Sequence, residues 1–551
     1  MNHIKSKQSL ILCCFLLLTT IQSCDQGGSR IKLSDAALEI SVDTIRTFIS
    51  FDVVRSKIIS NESFRTLSKN KIEWLDFQPR SDVQDDQKDT LTLHKQMSVY
   101  FYDYSNEKAY RAVVGSKDNE TVIISELDYQ PRASEGEFVA AQRILADSLG
   151  SVDGREFYLA MPSSMLNKQQ QRSITIGVHS KRNPAISGVY SVSIIKGYID
   201  RINDLYHVDF TKDLCEIASS TTCSTNGDGE QVRVTIRQGT TILWRFYAVR
   251  PQASSGHPGK GSGVELRHVY YRGKQVLYRA HVPILNVRYD QDVCGPYRDW
   301  QNQETCFDCA LGTDYGGTGF RKCKNLPKTF ADDLDDSGDF KGVGIYVNGL
   351  EVIFVSELAA GWYRYTSDWT FHADGTLKPR FKFGGTQNSC TCSLHSHHVY
   401  WRLDFDIEGA SNNSVKECKK VWWGWKSRLF EKEGKSFRDS RKKWRVENDR
   451  GDCYDIIPGS HDGNGSGDAW AKGDVWVVRY HYDELEDGVS CVYCSGTTAT
   501  IQDNVFLTGE NVKLSDVVIW YRSSFDHDAG HTHDEEHQEI VGPDIKPIGG
   551  Y

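Results

Sequence analysis

The sequence predicts α+β N-terminal domains followed by a large antiparallel β-sandwich. Two observations carry this. From about Asp209 onward, runs of alternating apolar and polar residues rich in Val, Ile, Tyr, Phe and Trp recur between turn pairs such as Arg272-Gly273 and Asn348-Gly349. Before that point, segments with helical spacing alternate with short strand-like runs. The cysteines divide the chain at the same place: beyond Cys13, Cys14 and Cys24 they occur only from Cys215 on.

Taken in order, residues 1–24 read as an export signal. Lys5 and Lys7 precede an apolar run from Leu10 to Leu18 that is too short to span a bilayer. Thr20-Ile21-Gln22-Ser23-Cys24 resembles a bacterial lipoprotein cleavage box, so we expect a lipid anchor at Cys24 and a periplasmic, cell-surface or secreted protein. Residues 30–130 form the first small α+β domain. Its opening segment, Ser34 to Thr47, shows helical spacing of Ala37, Leu38, Ile40, Val42 and Ile45, with Ser34 as cap. Strands are predicted at Met97–Tyr104, Ala109–Val114 and Thr121–Ser125. Residues 131–208 form the second: Ser134-Glu135-Gly136-Glu137 opens a helix, and strands follow at Ser173–Val178 and Tyr190–Ile199. Residues 209–551 form the sandwich, with strands at Gln231–Gln238, Thr241–Arg250, Gly263–Tyr271, Lys274–Val287 and Gly342–Val355.

Of 15 cysteines, three fall within residues 1–24, leaving an even number suited to disulfides in an oxidising compartment. Cys306-x-x-Cys309 and Cys491-x-x-Cys494 also have the spacing of two zinc half-sites, but export favours disulfides. A net charge of −9 gives no nucleic-acid footprint. The basic, aromatic stretch from Lys419 through Trp422, Trp423 and Trp425 to Arg445 reads as a solvated strand face with core tryptophans.

The chemistry concentrates in Leu394-His395-Ser396-His397-His398-Val399-Tyr400-Trp401-Arg402-Leu403-Asp404-Phe405-Asp406. On a strand, residues i and i+2 share a face, so His395 and His397 can offer two imidazoles to one metal ion. Asp404 and Asp406 add two hard carboxylates suited to calcium. Upstream lies Gly361-Trp362-Tyr363-Arg364-Tyr365-Thr366-Ser367-Asp368-Trp369-Thr370-Phe371-His372-Ala373-Asp374-Gly375, an aromatic strand closed by an Asp-Gly turn.

Together these two motifs resemble the copper amine oxidases, whose quinone cofactor, topaquinone, is made from a tyrosine of the chain itself. Tyr363 falls on the precursor tyrosine, with Tyr365, Trp369, Phe371, Asp374 and Gly375 in register. Trp362 stands where the family has Asn, and Arg364 where it has Asp or Glu. The resemblance implies copper held by His395, His397 and a C-terminal histidine. His527, seven residues after Trp520, meets the family spacing without a gap; His533 is the competitor. It also implies a calcium set of Asp404, Asp406 and Asp516 with the carbonyls of Phe405 and Val517. For the catalytic base the resemblance points to Asp308, in a Phe-Asp pair after Trp300, with Asp299 as the rival. A primary amine and oxygen are the implied reactants, aldehyde, ammonia and hydrogen peroxide the products, and a homodimer the assembly. The alternatives are an inactive copper-binding surface relative, or a zinc hydrolase using His395, His397 and a C-terminal histidine.

Overall fold

The structure, a computed structural model, describes residues 36–44, 51–67, 71–80, 96–115, 122–127, 130–150, 155–180, 182–202, 223, 231–254, 261–289, 296–310, 312–333, 335–361, 363–385, 394–463, 472–481, 507–527 and 540–549. Residues 1–24, expected to be an export signal and including Cys24, together with Trp362, His533 and the Cys491-x-x-Cys494 pair, lie outside these residues.

Among the described residues, two large sheets stack to form the sandwich. The first, of ten strands, runs in the order Leu38–Thr44, Gln231–Gln238, Thr241–Val249, Glu265–Tyr271, Lys274–Tyr289, His395–Phe405, Val517–His527, Val475–Arg479 and Gly434–Ser436, with Pro296–Arg298 paired beside Lys274–Tyr289. The second, of eleven strands, is centred on Glu351–Ala360, Tyr363–His372 and Leu377–Gly385, and Gly424–Leu429 forms one edge. One continuous core joins the inner faces, including Trp244, Phe246, Leu266, Leu285, Trp401 and Leu403 from the first sheet and Phe354, Tyr363, Tyr365, Trp369 and Phe371 from the second. A buried indole N–H needs an acceptor, and for two of these the facing backbone supplies it. Trp244 donates to the His372 carbonyl and Trp369 to the Val264 carbonyl, both at 2.9 Å.

Hairpin chemistry follows the turn residues. Arg272 and Gly273 take φ of 48° and 82° between directly paired strands, the positive angles that a two-residue hairpin loop needs. Gly375 has φ 90°, and a Cβ there would sit 2.6 Å from the Tyr271 ring, so no other residue fits this turn.

Two smaller four-stranded antiparallel sheets precede the sandwich. Helix Phe51–Ser60 packs Val54 and Ile58 on the first of them. Helix Glu135–Leu149 packs Ala141 and Leu145 on the second. Ser134 caps that helix in a capping box with Glu137, whose buried carboxylate also receives Arg172 at 2.7 Å.

Several expectations are corrected. The segment predicted as a helix from Ser34 is a strand, Leu38–Thr44, paired antiparallel with Gln231–Gln238. Leu38, Ile40 and Val42 recur every second residue as well as at helical spacing, and the waiting edge strand with Val232, Val234 and Ile236 decides between the periods. The disulfide reading of Cys306-x-x-Cys309, by contrast, is met: Cys306 bonds Cys223 and Cys309 bonds Cys323. Cys453 is a free, buried thiol, which burial pushes up to about 11. Trp422 and Trp423 are not core residues: they are 90% and 60% exposed, whereas Trp444 is buried.

Candidate functional site

The site forms where two strands from opposite sheets face each other. Tyr363–His372 lies between Glu351–Ala360 and Leu377–Gly385, entered through a two-residue loop at Gly361, φ 63°. Strand alternation turns Tyr363, Tyr365, Trp369 and Phe371 inward and leaves Arg364, Thr366 and Asp368 on the other face. Across the core, His395–Phe405 lies between Lys274–Tyr289 and Val517–His527. Its inward set is His395, His397, Val399, Trp401, Leu403 and Phe405.

Tyr363, His395 and His397 are all buried. The Tyr363 ring lies 5.0 Å from the His397 ring and 5.6 Å from that of His395, centroid to centroid. The two imidazoles are 4.9 Å apart at 72°. His527 is the register partner of His395 across the antiparallel ladder, which brings three histidine backbones to one end of the sheet; the His527 side chain lies outside the described residues. Phe383 and Phe525 close the box, with ring centroids 4.0 and 5.1 Å from His397. His398 belongs to the other face, where its Nδ1 accepts from Arg522 at 2.7 Å, and Arg522 in turn donates to Asp474.

The candidate bases separate. Asp299 is buried and accepts a short hydrogen bond from the Tyr365 hydroxyl, which also lies 3.3 Å from His397 Nδ1. Asp308 is not brought to the site. Phe307 packs inward on Phe340, and alternation leaves Asp308 exposed, its backbone paired with Lys328.

Asp404, Asp406 and Asp516 converge, each offering a carboxylate oxygen within 4.8 Å of the others. Asp404 and Asp406 are buried, and Phe405 faces Val517 in the ladder, so both named carbonyls lie on adjoining backbone. Arg402 reaches Asp404 at 3.2 Å and Gln275 reaches Asp406 at 3.3 Å. Three carboxylates so close repel one another unless a cation joins them, and an all-oxygen donor set suits calcium. Asp404 belongs to the outward set of the strand that carries the histidines, so the two candidate metal positions lie on opposite faces of one strand.

Sequence reasoning missed the partner of Arg364. Its guanidinium forms a buried bidentate pair with Asp336 at 2.5 and 2.9 Å, and Nη1 donates to the carbonyls of Gly361 and Tyr363 at 3.1 and 3.0 Å. An arginine inside an aromatic strand demands a buried anion, and the run Asp332-Asp333-Leu334-Asp335-Asp336 was the available signal. Beside it, burial holds the Glu357 carboxyl well above the ordinary range; one oxygen accepts from the Phe330 amide at 2.5 Å.

The donor set fits the group that the sequence implied. Buried imidazoles at alternate strand positions suit copper or zinc, and a buried phenol ring lies against both of them.

No family model matches the chain, and no curated protein sequence does. Solved structures do. A copper-containing benzylamine oxidase from Hansenula polymorpha superposes with a TM-score of 0.57 at 13% identity, covering 91% of this chain and 97% of its own. The lysyl oxidase of Pichia pastoris gives 0.54 at 12% identity, covering 95% and 92%. The chain thus shares its fold, along nearly its whole length, with a copper-containing benzylamine oxidase and a lysyl oxidase.

Proposed function

We propose that this protein is a copper- and topaquinone-dependent primary-amine oxidase. The observation that carries the reading is the packing of Tyr363 against His395 and His397 from the facing sheet. His395, His397 and, by its register, His527 would hold copper, and Tyr363 would be the cofactor precursor. Bound copper and the quinone would supply the electrophile and the two-electron chemistry that convert a primary amine and oxygen to aldehyde, ammonia and hydrogen peroxide. Asp299 is the base that removes the proton from the amine-bearing carbon, because it is buried within the same box while Asp308 is exposed. Tyr365, hydrogen-bonded to Asp299 and close to His397, fixes the direction of that carboxylate. Phe383 and Phe525 keep water from the phenol and imidazoles. Calcium at Asp404, Asp406 and Asp516 would be structural. A two-fold dimer, export and an anchor at Cys24 complete the proposal.

One observation favours an inactive copper-binding relative instead: Arg364 replaces the family's acidic residue and is committed to Asp336. The experiment that separates the two is aerobic incubation with copper followed by peptide mass spectrometry. Oxidative modification of Tyr363 and a visible quinone band, both lost in Tyr363→Phe while copper stays bound, support the oxidase. An unmodified Tyr363 refutes it.

A further inference from the structure

The hairpin formed by Asn413–Val421 and Gly424–Leu429 ends in a two-residue loop, Trp422-Trp423, at the edge of the eleven-stranded sheet. Trp422 is 90% exposed and Trp423 60%, and their rings pack edge to face with centroids 4.8 Å apart. Folding gains little by leaving two indoles in water, so this tip calls for a partner.

Its charge indicates which kind. The chain carries −9 overall, yet the hairpin from Asn413 to Leu429 itself holds five basic residues and a single acid, Glu417; Lys416 is paired with Glu447 on the neighbouring strand and Arg428 with Glu417 at 3.4 Å. Lys419 stands directly opposite Lys426 on one side and Lys442 on the other, a row of like charges that is unfavourable in water. Asp439 offsets Lys419 at 3.0 Å and Glu417 reaches Lys442 at 3.5 Å, but Lys420 and Lys426 project into solvent.

We propose that this hairpin docks the protein on the interface of an anionic lipid bilayer. The indoles would enter the boundary between headgroups and acyl chains, where tryptophan is enriched because its ring is apolar and its N–H stays wet. The lysines would meet the headgroups. A convex tip two residues wide inserts into a bilayer without a preformed pocket, whereas a protein partner must present one of matching shape. That decides for lipid over a second copy of the chain. The docking is independent of the amine chemistry and does not need an acyl group on Cys24.

The test uses the full chain carrying Cys24→Ala, so that no acyl chain contributes. Each lysine near an anionic surface adds about fivefold to partitioning, so Lys420 and Lys426 should make binding to vesicles containing phosphatidylglycerol roughly 25-fold tighter than to phosphatidylcholine alone, and salt should weaken it. Brominated lipid should quench tryptophan emission. Trp422→Ser/Trp423→Ser, at exposed positions that leave the fold intact, should abolish the quenching and cost at least about tenfold in binding. Lys420→Gln/Lys426→Gln should remove the anionic preference. Equal binding by wild type and the tryptophan variant overturns the proposal. So does a wild-type dimer in lipid-free buffer that the tryptophan variant converts to monomer without any change in vesicle binding, since the tip would then contact a second copy.

Discussion

Removing either half of the Arg364–Asp336 pair should destabilise the sandwich far more than removing both. The two side chains are 5% and 1% exposed, joined by hydrogen bonds of 2.5 and 2.9 Å. Asp336→Ala leaves a guanidinium in the interior with its charge uncompensated, and Arg364→Met does the same to the carboxylate. Breaking a buried pair in this way costs about 3–5 kcal/mol, whereas exchanging both members for apolar groups is often close to neutral. For a cooperative unit of roughly 340 residues, the unfolding entropy makes 1 kcal/mol equivalent to about 1.4 °C, so each single variant should melt about 4–7 °C lower. The double variant should recover most of that loss, giving a coupling energy of about 3 kcal/mol or more. Scanning calorimetry on the four proteins measures it. Additive effects, or single-variant losses under about 1.5 °C, would refute the reasoning and mean that the pair is hydrated. Because Arg364 also donates to the Tyr363 and Gly361 carbonyls, the same variants should loosen the entry to the tyrosine strand.

Three further predictions follow from the geometry. Asp299→Asn should lower amine-dependent peroxide release by about a hundredfold or more, while Asp308→Asn leaves it within about twofold, as steady-state assays will show; the reverse ranking would return the base to Asp308. Glu357 has its carboxyl pushed above the unfolded value, so the folded state holds that proton more tightly and stability falls as pH rises through the window above about 4.3. Glu357→Gln should therefore melt higher than wild type at about pH 8 and lose that advantage at about pH 4; an advantage that is the same at both would contradict burial as the cause. Chelation of calcium should lower the melting temperature, reversibly on adding calcium, without releasing copper, because the acidic cluster and the histidines occupy opposite faces of one strand; simultaneous loss of both ions, measured by metal analysis, would argue for one mixed site.

Much of the fold was legible where local pattern and tertiary environment agree. Gln231–Gln238 is the strand its alternation predicts, and the capped helix after Ser134 is present. Leu38–Thr44 misled because the same apolar residues satisfy two periods, and only a distant strand chooses between them. At the candidate site, the strand period alone puts His395 and His397 on one face, and the family register points to Tyr363. What the sequence did not contain was distance. Asp299 and Asp308 are equally plausible by spacing, and the choice rests on Tyr365 reaching one of them. Arg364 looked like a defect until Asp336, 28 positions earlier, appeared beside it. Trp422 and Trp423 were read as core because tryptophan usually is, and nothing local says that a hairpin tip extends beyond its sheet.

The division of the candidate site between two sheets has a consequence for biogenesis. The phenol arrives on one sheet and the imidazoles on the other, and His395 meets His527 across 132 positions of chain. Neither sheet holds the ensemble alone. A nascent or partly collapsed chain would therefore capture copper, if at all, with no tyrosine beside it to oxidise. Under the proposed function, maturation then reports on assembly: self-modification starts only after the last long-range strand has docked. Misassembled chains stay chemically silent, and the fraction of protein bearing the quinone becomes a count of correctly closed molecules.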